Sequence, residues 1–165
     1  MPYHPAIKQI TDMLTSNKCE FQTFEHAPVR TSEDAFRQRP NFSMHQGAKA
    51  MIVRVKSKNR EEQDKFVMLV FPADLKFKGG EVKKLLGARD VTFATEAEVG
   101  KITGGVQVGG VPPFGNLFNL PVYADGSLFE NDKIIFNAGD RSFSVAMSAE
   151  DYKKIVNPIV QKFAA

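Results

Sequence analysis

Apolar positions recur along this chain with two periods, and the switches between them mark its elements. Between residues 4 and 17 they fall at Ala6, Ile7, Ile10, Met13 and Leu14, the i, i+3, i+4 spacing that lays one stripe along a helix. Residues 21–24 alternate apolar and polar, which predicts a short strand, and Ala27-Pro28 turns the chain. Thr31-Ser-Glu-Asp34 sets a hydroxyl three residues before a carboxylate, a helix-start signal, and that helix runs toward Arg37 and stops by Pro40. Residues 48–56 and 65–71 are rich in β-branched and aromatic side chains. The polar run 57–64 between them predicts a hairpin with a charged tip.

Further along, residues 81–86 read as a short helix ended by Gly87, residues 91–94 as a strand, and residues 96–101 as a helix capped by Thr95 with Glu98 completing a capping box. Residues 104–115 hold five glycines and two prolines, too many for a regular element, so they form a shaped loop. Strands follow at 122–124, 128–129, 133–136 and 143–147, the first two joined by an Asp125-Gly126 turn, as a meander or barrel wall. Ser148-Ala-Glu-Asp151 opens a last helix that carries Tyr152, Ile155, Val156, Ile159 and Phe163 and kinks at Pro158. No linker, repeat or low-complexity tract interrupts the chain. The pattern predicts one mixed α/β domain over residues 1–165, a curved, largely antiparallel sheet with helices outside.

Composition adds limits. At 165 residues, 42% hydrophobic and 25% charged, the chain has the make-up of a soluble globule with enough length for a core. Cys19 is the only cysteine, so no internal disulfide can form, which points to a reducing compartment. Met1-Pro-Tyr-His-Pro5 lacks a basic and then apolar leader, and no apolar run approaches the ~20 residues that span a bilayer. The expectation is a cytosolic protein. The formal net charge is +3 and the pI about 9.0. Arg54, Lys56, Lys58 and Arg60, and then Lys76, Lys78, Lys83 and Lys84, form two basic clusters that suit phosphate backbones or, more commonly, a solvated face.

Several chemistries are excluded. Gly104 and Gly109 have the glycine spacing of a phosphate loop, but Gly110 stands where such a loop needs lysine and no hydroxyl residue follows. His4, His26 and His45 lie on unrelated segments, with no metal-binding or serine-triad motif around them. Neither a metal nor a cofactor is expected. Nothing near Cys19, His26 included, visibly activates its thiol. Two features stay open. Gly109-Gly110 could present consecutive N–H groups to an oxyanion or could form a plain tight turn, and Lys49 at a strand start could be functional or merely solvated.

The ordered set Glu25-His-Ala-Pro-Val-Arg-Thr-Ser-Glu-Asp-Ala35, Gly47-Ala-Lys-Ala-Met51, Phe93-Ala-Thr-Glu-Ala-Glu-Val99, Gly109-Gly-Val-Pro-Pro-Phe-Gly115, Leu120-Pro-Val-Tyr-Ala-Asp125 and Phe136-Asn-Ala-Gly139 resembles the YbaK and prolyl-tRNA synthetase-associated editing domains over nearly the whole chain. That resemblance implies a β-barrel-like α/β fold and hydrolysis of the ester joining an amino acid to the tRNA 3′ adenosine. It implies that Lys49 holds the tRNA 3′ end and that the backbone of the Gly109 to Pro113 loop, Gly110 included, seats the carbonyl or the attacking water. His26 and Thr31 would border the pocket. Asn137 stands where YbaK-like members place a small hydroxyl residue, and Ser144 where YbaK has an acidic one, which leaves the amino acid open among small ones such as Ala, Ser, Thr or Cys. The implied partners are tRNA, through its aminoacyl end, and an aminoacyl-tRNA synthetase. The competing expectations are a catalytically silent tRNA-binding module on the same fold and an unrelated small-molecule hydrolase.

Overall fold

The computed structural model of the chain describes residues 3–165; Met1 and Pro2, part of the N-terminal run read above, lie outside it. Helix α1 (Pro5–Ser16) starts where His4 Nδ1 accepts the Ala6 N–H at 3.0 Å and buries Ala6, Ile7, Ile10 and Leu14. After β1 (Phe21–Glu25), the Thr31 hydroxyl accepts the Asp34 N–H at 3.0 Å and opens α2 (Ser32–Gln38). The expected hairpin is formed by β2 (Ala48–Ser57) and β3 (Lys65–Pro72), in register from Ala48 opposite Pro72 to Val55 opposite Lys65. There follow α3 (Gly79–Leu86), β4 (Ala88–Phe93) and α4 (Glu96–Thr103), the last with the reciprocal Thr95 and Glu98 cap that the sequence signals. Beyond the glycine loop come β5 (Val122–Asp125), β6 (Lys133–Asp140), β7 (Phe143–Ser148), α5 (Ala149–Val156) and β8 (Ile159–Gln161).

These strands make a mixed α/β fold, as expected, but not one barrel-like sheet. Strands β1-β7-β6 form an antiparallel sheet, and β4-β2-β3-β5-β8 form a second in which β5 and β8 join in parallel. Neither sheet closes on itself. A single parallel bridge, Gly47 to Ile135, ties them. The expected strand at 128–129 is instead a 3-10 turn, Gly126–Glu130, because the Asp125 carboxylate accepts the Ser127 N–H and hydroxyl and coils the chain where a hairpin would have opened it. The last helix is also shorter than expected. It ends at Val156, since a residue before proline is pushed out of the α region, and Asn157 takes φ 50° ahead of Pro158. The following residues pair with β5, and the Phe163 and Ala164 N–H groups donate to Asp125 Oδ1 at 2.7 and 2.9 Å.

The alternation of β3 explains the layering. Met68 and Val70 face the main core, with Ile10, Leu14, Phe114, Phe136 and Tyr152. Val67, Leu69 and Phe71 face a second cluster covered by Val82 of α3 and by Phe163. A strand covered on both faces reads as a continuous apolar run, as residues 66–71 do. Fully burying one such side chain is worth about 1.5–3 kcal/mol. No helix among the described residues is long and apolar enough to cross a membrane.

Candidate functional site

The start of β2, helix α2, the glycine loop and the end of β6 surround a cavity of about 310 Å³. Lys49, Gly109, Thr31 and Asn137, four of the residues singled out in the sequence, line it together. Lys49 is exposed on β2, one residue beyond the buried Ala48, so the pleat turns it away from the core. Thr31 reaches the cavity from the cap of α2.

The glycine loop is held from three directions. Gly109 has φ 93°, a conformation glycine adopts without strain. Its carbonyl accepts Asn137 Nδ2 at 2.6 Å, while its N–H has no acceptor among the described residues. The Gly110 N–H donates to the Gln107 carbonyl, and its carbonyl accepts the Gly139 N–H, both at 2.9 Å. Of the two consecutive N–H groups, then, only that of Gly109 is available to a ligand. Pro113 is buried off the cavity, where its carbonyl accepts the Tyr152 hydroxyl at 2.6 Å. Burial pushes that phenol far above its ordinary pKa, so it remains a donor at any physiological pH.

Behind the lining, His26 and Ser144 form the next layer rather than the cavity wall. His26 Nδ1 lies 2.8 Å from the Ala27 carbonyl, which can only accept. Nδ1 therefore carries a proton, and Nε2 lies within hydrogen-bond distance of the Ser144 hydroxyl, at 2.7 Å. The Ser144 oxygen also accepts from Arg39, from Nε at 3.2 Å and from Nη2 at 2.9 Å. Arg39 Nη2 also donates to Asn137 Oδ1 at 2.7 Å. The result is one chain of hydrogen bonds, His26 to Ser144 to Arg39 to Asn137 to Gly109.

Arg39 was not among the residues anticipated. In the sequence it is a basic residue at a helix end before proline, a pattern that ordinarily complements the helix dipole at the surface. In the fold it is only 8% exposed, and burial lowers its pKa to about 10, which still leaves it charged at neutral pH. It lines the cavity and forms no ion pair among the described residues. Arg30 and Arg141 were missed too. Arg141 holds the loop by donating Nε to the Val108 carbonyl at 2.9 Å, and both arginines line the cavity, whose one acid is Glu96. The two basic clusters noted in the sequence do not line it. Arg54, from the first, is instead paired to Glu98 and Asp64. Cys19 lies elsewhere, and burial first, then Asp151, pushes its thiol pKa up, away from nucleophilic character.

A model of the aminoacyl-tRNA editing domain matches residues 26–155 of the chain. Among solved structures, a candidate trans-editing enzyme for prolyl-tRNA synthetase has the same fold at a TM-score of 0.80 and 18% identity, with 99% of each chain covered. The hypothetical protein APE2540 superposes at a TM-score of 0.80 and 21% identity, over 95% of this chain and 99% of its own.

Proposed function

The chain belongs to the aminoacyl-tRNA editing domain family, and from that premise we propose that it is a single-domain, trans-acting cytoplasmic deacylase that hydrolyses the ester of a mischarged tRNA carrying a small amino acid of the Ala, Ser, Thr or Cys class. The observation that carries this reading is the gathering of Lys49 and the Gly109 turn in one cavity with Arg30, Arg39 and Arg141 against the lone carboxylate of Glu96. Such a balance favours the phosphate-bearing end of a nucleic acid.

In this reading Lys49 holds the 3′ end of the tRNA, at the phosphate that joins the terminal adenosine, and so fixes the scissile ester, with Thr31 and Asn137 beside it. Water adds to the ester carbonyl carbon, and the charge that builds on the carbonyl oxygen meets the free Gly109 N–H. Collapse breaks the bond to the ribose oxygen, which receives the proton lost by water, relayed by the neighbouring ribose hydroxyl. The products are the free amino acid and deacylated tRNA. An aminoacyl ester is already activated, so positioning supplies much of the rate and no protein nucleophile is required. Gly110 and Pro113 keep the loop in shape, while His26 and Ser144 brace Arg39. One methylene is worth only about 1–3 kcal/mol of discrimination, so tRNA identity or a synthetase partner shares the selection.

The test is a panel of tRNAs charged with Ala, Ser, Thr or Cys, incubated with the protein while loss of the amino acid is followed. Turnover of at least one ester is expected. Binding of tRNA with no turnover of any would assign the chain instead as a silent tRNA-binding or synthetase-associated module.

A further inference from the structure

Arg39 holds a cation where nothing on the protein answers its charge. It is 8% exposed, its hydrogen-bond partners are the neutral Ser144 and Asn137, and no carboxylate pairs with it among the described residues. Its Nη1 has no partner among them either, yet is not sealed from solvent. That nitrogen lies beside Gly47, where an added Cβ would stand 3.9 Å away, and Gly47 lines the same cavity. The free edge of the guanidinium thus stands at the wall of the pocket, held in place by the bonds on its other nitrogens. A buried cation left unpaired is costly, and a ligand oxygen placed against it recovers part of that cost.

Its place in the pocket says which ligand oxygen. Asn137 bonds both Arg39 and the Gly109 carbonyl, so Arg39 lies one side chain behind the turn that receives the ester. The part of the substrate that extends past an ester carbonyl held at Gly109, away from the ribose, is the amino acid. We propose that Arg39 is a specificity-determining residue that selects amino acids whose short side chain ends in an oxygen acceptor, a hydroxyl or a carboxylate, over those ending in a methyl group. This inference rests on the deacylase reading and redraws its substrate class, from small side chains in general to short ones that end in an oxygen. The preference arises because a hydroxyl or carboxylate oxygen satisfies Nη1, whereas an alkyl side chain displaces water from Nη1 and returns nothing. A site built to hydrogen-bond a substrate group discriminates far more strongly than one that only measures size.

The experiment charges one tRNA with Ala, Ser or Asp, measures single-turnover deacylation, and divides each rate by that ester's spontaneous hydrolysis. The Ser or the Asp ester is expected to exceed the Ala ester by roughly tenfold or more, and the two arms tell a hydroxyl from a carboxylate as the preferred oxygen. In Arg39→Met that advantage is expected to fall to nearly one. Arg39→Lys, which keeps the charge but loses the planar fork, should also shrink it and serves where the Met variant does not fold. An Ala ester hydrolysed as fast as both others, or a preference that survives in a folded Arg39 variant, overturns the inference and leaves the deacylase reading standing. Hydrolysis of none of the three, nor of the wider panel, overturns both.

Discussion

Asn137 donates to the Gly109 carbonyl across 2.6 Å, joining a β6 side chain to a loop residue whose own N–H has no acceptor among the described residues. The same amide accepts from Arg39 at 2.7 Å, so it sets the turn and the buried cation against each other. Asn137→Ala should slow deacylation by about 10- to 100-fold, since a 1 Å misplacement of reacting groups costs on the order of 10². It should also cost about 1–3 kcal/mol, because a buried donor is left unsatisfied. Denaturant midpoints and single-turnover rates measured on the same preparations check both, and an unchanged rate would remove Asn137 from the site.

Lys49→Ala separates charge from packing. The side chain is exposed and contributes no core volume, so the melting temperature should hold, with a stability change within about 0.5 kcal/mol. Deacylation should fall by on the order of 100-fold or more as the electrostatic clamp on the 3′ end is lost. Wild-type turnover from a folded variant would show that the cavity binds its substrate by other groups.

Gly109→Ala should damage both properties. The residue sits at φ 93°, and a Cβ there would meet Arg141 Nε at 3.4 Å. Strain at that φ costs on the order of 1 kcal/mol, and losing an aligned oxyanion donor costs about 10²- to 10³-fold in rate. Rates normalised to folded protein distinguish the two effects. A stability loss with a normal normalised rate would make the turn purely architectural.

His45 gives a pH signature apart from the cavity. Burial lowers its pKa, but Asp74 at 3.0 Å and Glu130 at 3.3 Å outweigh that and hold the imidazole above its ordinary value near 6.5. The folded state therefore binds the proton more tightly than the unfolded one. The stabilisation is complete below about pH 6.5 and is lost as pH rises through the raised folded value. The ring and both partners are partly solvated, so the gain is no more than about 0.5 kcal/mol. Melting temperatures across that range should decline slightly in the wild type relative to His45→Asn, and parallel profiles would refute the pairing.

What could be read in the sequence was the local chemistry. The caps at Thr31, Thr95 and Ser148, the hairpin of β2 and β3, and the stripe on α1 depend on residues a few positions apart. The division into two sheets depends on long-range pairing, such as β3 with β5, for which a strand's own pattern carries no partner information. The end of α5 was misread because its apolar spacing ran on past Pro158, while proline's effect on the preceding residue set the boundary. In the site, Lys49 and Gly109 were each open between a functional and a plain role on their residues alone, and it was the family resemblance that singled them out. Arg39 was not visible, because burial and the lack of a counter-charge are properties of the fold and leave no mark on a basic residue beside a proline.

Strand β1 finds its partner, β7, at the far end of the chain: Glu25 lies opposite Phe143 and Phe21 opposite Met147. Closing so long a loop is entropically slow, and topologies dominated by such contacts fold late. The segment that leaves β1 continues the pairing, with the His26 and Val29 N–H groups donating to the Ser142 and Arg141 carbonyls, and it delivers Thr31 and, through α2, Arg39 to the cavity. The complete pocket therefore draws on segments that this long-range pairing brings together. Under the proposed function, deacylation should return during refolding no earlier than this pairing forms, which ties the readiness of the site to the completeness of the fold.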